Sequence, residues 1–322
     1  MWFEPWIESL VLMGFTESLA MWWCMGLLSA SLMLNVGRTL TGNNTLVSLL
    51  AKGAWGCAVA SVVALVLSLW IRSVEADYFA LSNMYESLLV VAGWMVIGYL
   101  VMDRKHELKY LAWPIILLSV GTIFYATTLP TNIQPLQAAL QSYWRAIHVP
   151  VILASYAMFA LSFVCSVAYL VSASFGFNKH KGNETVSLST SPMPVQASPD
   201  GLLRSESAES KSAESGLSLL MVYDEITYRC IALGFPLLAI GIILGGLWAN
   251  EAWGNYWSWD PKESMSLVTL LVYGVYLHLR INGEHSENVL AWVSVAGFAT
   301  MLLTYFGVNL MGVGLHSYGK IG

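Results

Sequence analysis

Six histidines occur among the 322 residues, and three of them stand where an imidazole can do more than meet water. His148 lies in SYWRAIHV (142–149) and His316 in GLHSYG (314–319), each at one end of a long apolar run, whereas His278, in YLHLR (276–280), falls within a third run. A neutral imidazole is a common metal ligand through either ring nitrogen. The second unusual feature is WGNYWSWDPKE (253–263), which follows closely on Trp248 and holds Trp253, Tyr256, Trp257 and Trp259. Membrane interfaces enrich Trp and Tyr, but a belt distributes its aromatics around a protein. Concentrated in one short loop, the same rings form a platform for a large flat apolar ligand.

A flat ligand with a metal at its centre and two imidazoles points to haem. His148 and His316 would fill the two axial positions while Trp253, Tyr256, Trp257 and Trp259 cover the macrocycle. Haem propionates need cations, and Arg145, three residues before His148, and Lys262, within the loop, are placed to meet them. A lone histidine at an interface is usually a hydrogen-bonded surface residue. Two of them on the face that carries the aromatic loop shift the reading towards ligation. Asp260 has a plainer role, because Asp260-Pro261-Lys262-Glu263 reads as a helix start: N-cap, proline at the first position, glutamate at the third. His278 follows Asp260 by 18 residues, about 27 Å along a helix, so it cannot share an iron with His148 and His316. An inner metal site at His278 and a histidine that merely meets the helix C-terminal dipole beside Arg280 both remain open. His106, His180 and His285 lie in charged segments and read as solvated.

The elements that position these residues follow from composition. The chain is 57% hydrophobic and 11% charged, against roughly 25% charged residues in soluble domains. A membrane-spanning helix needs roughly 20 mostly apolar residues. Eight such segments are predicted, near 18–36, 53–71, 86–102, 110–128, 148–171, 228–248, 265–281 and 289–309. The expected fold is therefore an all-α integral membrane protein, a bundle of about eight transmembrane helices with an outward-facing Trp-rich loop. Of the 15 Lys and Arg, only Arg72, Arg145, Lys262 and Lys320 fall on the side of that loop, so the positive-inside rule puts the loop and the C-terminus outside. Residues 1–17 contain Glu4, Glu8 and Glu17 but no basic residue. They read as an interfacial segment with aromatics at helical spacing, not a cleavable signal.

Cys24, Cys57, Cys165 and Cys230 occur singly, with no C-x-x-C pair, which argues against a thioredoxin-type or zinc-finger motif. They read as small packing residues. The Ser-rich stretch 178–224 is expected to be a disordered inner-side loop. It divides the chain into a five-span half (1–177) and a three-span half (225–322) that holds the Trp loop. No internal repeat is visible.

WGNYWSWDPKES resembles the motif of the WWD-domain haem-handling family. SNMYESL (82–88), SYWRAIHV, YLHLR and GLHSYG are similar to its CcsA branch, the membrane component of two-protein cytochrome c synthases in plastids, cyanobacteria and some other bacteria. The first 75 residues and the stretch 178–224 carry little of the resemblance. It implies haem b as a transiently bound substrate, with His148 and His316 as axial ligands. It places His278 at an inner haem site completed by a histidine from a CcsB-type partner. It further implies attachment of haem to C-x-x-C-H segments of apocytochromes c, such as cytochrome f and soluble c-type cytochromes, in a holocytochrome c synthase complex. The implied membrane is a plastid or cyanobacterial thylakoid, or a bacterial plasma membrane, with no nucleic acid among the partners. A haem exporter without covalent chemistry and a cytochrome b-type redox subunit are the competing expectations.

Overall fold

The computed structural model describes residues 16–106, 108–186, 199–283 and 285–307. Eight α-helices account for most of them: α1 (Glu17–Leu40), α2 (Asn44–Ala76), α3 (Met84–His106), α4 (Ala112–Thr127), α5 (Tyr143–Val186), α6 (Pro199–Trp253), α7 (Pro261–Asn282) and α8 (Glu287–Leu302). A 3-10 turn, Ala138–Gln141, precedes α5, and a π-helical turn, Leu303–Gly307, follows α8. No strand occurs among the described residues. Seven of these helices are long and apolar enough to cross a bilayer; α4 has 16 residues, a length of about 24 Å. The eight predicted apolar segments are thus all helical, and the chain is an all-α polytopic membrane protein.

Some boundaries differ from expectation for local reasons. The helix predicted near 53–71 starts at Asn44, because the Asn43 side chain caps it by accepting from the Thr45 and Leu46 N–H groups at 3.0 and 3.2 Å. Helix α5 begins at Tyr143, so His148 sits inside its first turns instead of opening it. The stretch predicted as a loop over 178–224 is helical on both flanks, since α5 continues to Val186 and α6 begins at Pro199. Between Pro199 and Asp224 the sequence holds Leu, Ala, Glu, Lys and Arg with no further proline, and these residues favour helix. Serine and mixed charge signal solvation, not conformation. Of the interfacial segment expected over 1–17, residues 1–15 lie outside the described residues, while Thr16 caps α1 and Glu17 begins it; 187–198 and the tail 308–322 with His316 and Lys320 also lie outside.

Helices α5 and α6 pack antiparallel along most of their apolar length, in a register set by glycines. A β-carbon on Gly234, Gly241 or Gly245 would come within 2.7 Å of Phe159, 3.2 Å of Ile152 and 2.9 Å of His148, respectively. Small residues let membrane helices approach closely, and here each glycine makes room for one side chain of α5. Helix α3 joins the two halves, packing on α2 and α4 on one side and on α5 on the other. Further in, Phe159 stacks on Tyr273 of α7 at 3.7 Å between centroids.

A buried ionic cluster ties the Trp-loop end together. Arg72, at the end of α2, pairs through Nε with Glu86 at 2.7 Å, and the two side chains are 2% and 0% exposed. The same guanidinium reaches Glu17 at 3.5 Å and donates to the Thr131 carbonyl at 2.7 Å. Glu86 also accepts from the Ser82 N–H at 2.7 Å and from Asn83 Nδ2 at 3.0 Å, and Tyr85 donates to Glu17 at 2.9 Å. Charges in so dry a place persist only when paired and hydrogen-bonded. At the opposite end, Arg38–Asp103 (2.9 Å) and Arg280–Asp224 (2.6 Å) join α1 to α3 and α7 to α6.

Candidate functional site

The Trp-loop end opens into a cavity of about 840 Å³, within the usual range of roughly 300–1,000 Å³ for ligand sites. Its walls come from the starts of α3, α5 and α7, the end of α6, the Trp loop, the connection after α4 and the π-helical turn. Arg145, His148, Tyr256, Trp257 and Lys262 all line it, so five of the residues singled out by sequence meet in one place. Trp253, Trp259 and Asp260 stand outside its wall.

His148 is held by α6. Its Nδ1 lies 2.8 Å from the Gly241 carbonyl oxygen, which can only accept. Nδ1 therefore carries the proton, and in the neutral ring Nε2 keeps its lone pair. A carbonyl fixing one ring nitrogen is the usual way a protein orients an imidazole whose other nitrogen binds a metal. Gly245 leaves the space in which the ring lies. Trp248 packs against the imidazole at 5.7 Å and donates from Nε1 to the Ala139 carbonyl at 2.8 Å, joining α6 to the 3-10 turn.

The aromatic loop divides its rings by position. Gly254 takes φ +82° and Trp259 takes φ +57°. Left-handed backbone is easy for glycine and strained for a bulky residue. The two reversals turn Tyr256 and Trp257 to the cavity, while Trp259, 69% exposed, meets Trp257 edge-on at 5.8 Å. Trp253 sits behind, 6.1 Å from Trp248. Gly246 lets the loop pass closely, since a β-carbon there would lie 3.1 Å from the Tyr256 carbonyl oxygen.

Asp260 caps α7 as its sequence predicts: Oδ1 accepts from the Lys262 N–H at 2.9 Å, and Glu263 completes a capping box. One oxygen of Glu263 also accepts from the Ser258 N–H at 2.8 Å and the Asp260 N–H at 3.2 Å, so it braces the loop as well as the helix. Lys262 reaches the cavity from this rigid start. Arg145 is buried, donating to the Leu140 carbonyl at 2.8 Å and the Phe79 carbonyl at 3.0 Å. It brings positive charge to the cavity wall and also pins two connecting segments.

The family model described as cytochrome C assembly protein matches residues 81–316, which span the cavity, the Trp loop and His316 but leave out α1 and α2. The chain belongs to the cytochrome c assembly protein family. It is 38% identical over 291 residues to the cytochrome c biogenesis protein CcsA of Gloeothece citriformis, a match covering 84% of this chain and 88% of that one. It is also 38% identical over 268 residues to the protein of that name from Porphyra purpurea, over 80% and 84% of the two chains. Among solved structures, the cytochrome c haem lyase CcmF aligns with a TM-score of 0.56 at 16% identity, over 96% of this chain and 52% of that one. That likeness is one of fold, and this chain spans about half the length of the CcmF chain.

As a member of the cytochrome c assembly family, the protein is a multi-pass membrane component of cytochrome c maturation. His278 lies apart from the cavity, exposed near the far end of α7, with Nε2 3.1 Å from Asn282 Nδ2. Sequence reasoning missed the Arg72–Glu86 pair and the roles of Gly241 and Gly245. An arginine ending an apolar run and glycines spaced along one helix face were the available signals.

Proposed function

We propose that this protein holds haem as a substrate in the Trp-loop cavity and presents it for covalent attachment to apocytochromes c, as the haem-handling subunit of a cytochrome c synthase. The observation that carries this reading is His148: its ring stands at the cavity wall with Nδ1–H bound to the Gly241 carbonyl, which makes Nε2 the unprotonated nitrogen of the neutral ring, the kind that ligates iron. Trp257 and Tyr256 supply flat apolar wall, while Arg145 and Lys262 supply the charge that propionates need. His316, in the tail beyond α8, is the second axial ligand. Trp253 and Asp260 act one step back, supporting Trp248 and the loop.

Both axial positions filled by histidine restrain reaction at the iron. An apocytochrome C-x-x-C-H segment then replaces one protein histidine with its own. Each of its two thiols adds across a vinyl group: sulfur bonds to one carbon, the proton goes to the other, and no electron is gained or lost. The protein needs no cysteine for this step. Its own cysteines form no C-x-x-C pair, and Cys24, Cys165 and Cys230 are buried.

His278 faces out of the bundle near its other end, which suits an inner haem site whose second ligand comes from a CcsB-type partner. The Trp loop then faces the thylakoid lumen or the outside of a bacterial plasma membrane. Absorption spectra of the protein purified with its partner test the reading, comparing wild type, His148→Ala and His316→Ala with and without imidazole. A bis-imidazole spectrum lost in either variant and restored by imidazole supports it. An unchanged spectrum in both places the iron elsewhere. Covalent haem on a co-expressed C-x-x-C-H substrate separates a synthase from an exporter.

A further inference from the structure

A second cavity, of about 970 Å³, lies between α4 and α5. Helix α4 packs on α3 and α1 but meets α5 only marginally, and the gap between the two is a groove. One wall runs from Tyr110, just before α4, through Leu117 and Gly121 to Tyr125. The other runs along α5 from Tyr156 to Ser172. From Tyr110 to Tyr125 is about 22 Å along a helix, longer than one leaflet of hydrocarbon, which is half of roughly 30 Å. The floor is buried, with Leu88, Met95, Ala160 and Met301. Trp113 and Leu117 on one rim and Val167 and Val171 on the other are exposed. The groove therefore enters the bundle from its lipid-facing side.

Its wall chemistry narrows the occupant. Among the described residues, no histidine, lysine, arginine, aspartate or glutamate lines it. A haem would find neither an axial ligand nor a cation for its propionates. An apolar chain needs neither.

The two ends of the groove differ. Towards the Trp loop it is closed by a row of rings: Tyr125 meets Phe306 at 5.8 Å, Phe306 meets Tyr305 at 4.8 Å, and Tyr305 meets Tyr156 at 6.0 Å. The Tyr305 and Ser87 hydroxyls lie 2.6 Å apart, which fixes that ring. Tyr156 and Tyr305 also line the Trp-loop cavity, so they form a partition between the two spaces. At the opposite end the Lys109 ammonium stands 5.6 Å over the Tyr110 ring and donates to the Thr41 carbonyl at 3.3 Å. An ammonium has three N–H donors, and that bond uses one. The α3–α4 connection holds Arg104, Lys105 and Lys109 against Glu107. Asp103, Asp224 and Glu225, at the same end, are each paired with an arginine. A basic cluster at the membrane surface attracts anionic headgroups.

We propose that the groove binds one acyl chain of an anionic phospholipid, whose phosphate meets Lys109 and whose chain runs towards the Tyr156–Tyr305 partition. The site is separate from the Trp-loop cavity, and neither reading depends on the other.

The test uses full-length protein in detergent with phosphatidylglycerol carrying a photoactivatable diazirine in one tail, and phosphatidylcholine with the same tail for comparison. Adducts are mapped by peptide mass spectrometry. The expected result is labelling on α4 and α5 along the groove, stronger than on the outward face of α2 at Val63 and Val66, which are also exposed. Phosphatidylglycerol should label more than phosphatidylcholine, and Lys109→Gln should reduce that preference roughly fivefold. A β-carbon on Gly121 meets nothing within 4 Å, so Gly121→Phe should fill the groove and abolish labelling there without disturbing the packing, whereas Gly121→Ala should label as wild type does. Labelling no stronger than at Val63 and Val66 would mean annular lipid contact only and overturn the proposal. Undiminished groove labelling in Gly121→Phe, or an unchanged headgroup preference in Lys109→Gln, would overturn it too. Loss of the adduct when a partner subunit is co-purified would assign the groove to a partner helix instead.

Discussion

The His148 imidazole and the Gly241 carbonyl meet at 2.8 Å across two transmembrane helices, and the contact depends on Gly245, which takes no part in it. A β-carbon at Gly245 would stand 2.9 Å from His148 Cε1 and 3.2 Å from Nδ1. Gly245→Ala should therefore displace the ring while leaving α6 intact, since alanine is a better helix former by about 1 kcal/mol. The expected outcome is unchanged helicity by circular dichroism with a weakened or altered haem spectrum. Gly26→Ala, where a β-carbon meets nothing within 4 Å, should leave both measurements as in wild type.

Arg72 and Glu86 form a pair that cannot be halved cheaply. Arg72→Leu leaves two carboxylates, Glu17 and Glu86, without their cation, and such a change typically costs about 3–5 kcal/mol. Thermal unfolding in detergent should show a clear loss. Because Arg72 also holds the Thr131 carbonyl, limited proteolysis within 130–137 should become faster. Glu86→Gln, which keeps a hydrogen-bonding side chain of the same shape, should lose less.

At the start of α7, cap and chemistry are separable. Asp260→Asn retains a good N-cap and should cost a few tenths of a kcal/mol, whereas Asp260→Ala should cost about 1 kcal/mol. If haem attachment follows stability across the pair, Asp260 acts as a cap. An Asp260→Asn protein of normal stability and no attachment activity would assign its charge to the reaction.

Trp257 and Trp259 touch each other edge-on, yet only Trp257 lines the cavity. Trp257→Ala should diminish the haem spectrum. Trp259→Gly should leave that spectrum close to wild type. It relieves a left-handed backbone cost of about 1–2 kcal/mol, offset by about 0.5–1 kcal/mol of added glycine entropy and by loss of an aromatic contact worth about 0.5–1.5 kcal/mol. Its unfolding temperature should accordingly change little.

What sequence alone decided is whatever depends on near neighbours. A run of apolar residues long enough to cross hydrocarbon must satisfy its backbone internally and becomes a helix, so the eight segments were legible from composition. The Asp260–Glu263 helix start was legible too, because a capping box closes within four residues. The residue types of His148, Trp257 and Lys262 marked them as candidates for one site, and the three do line one cavity. Which aromatics face that site was not legible, since Gly254 and Trp259 set it through two backbone reversals. Nor was the imidazole tautomer, which rests on a carbonyl 93 residues away. Nor could the composition of 178–224 show that α5 runs on to Val186 and that α6 starts at Pro199, and the hold of Arg72 and Tyr78 on the Thr131 and Gln134 carbonyls joins residues 59 and 56 positions apart. Local interactions make the helices; the site is made by hydrogen bonds between helices, whose partners are named only when the bundle has packed.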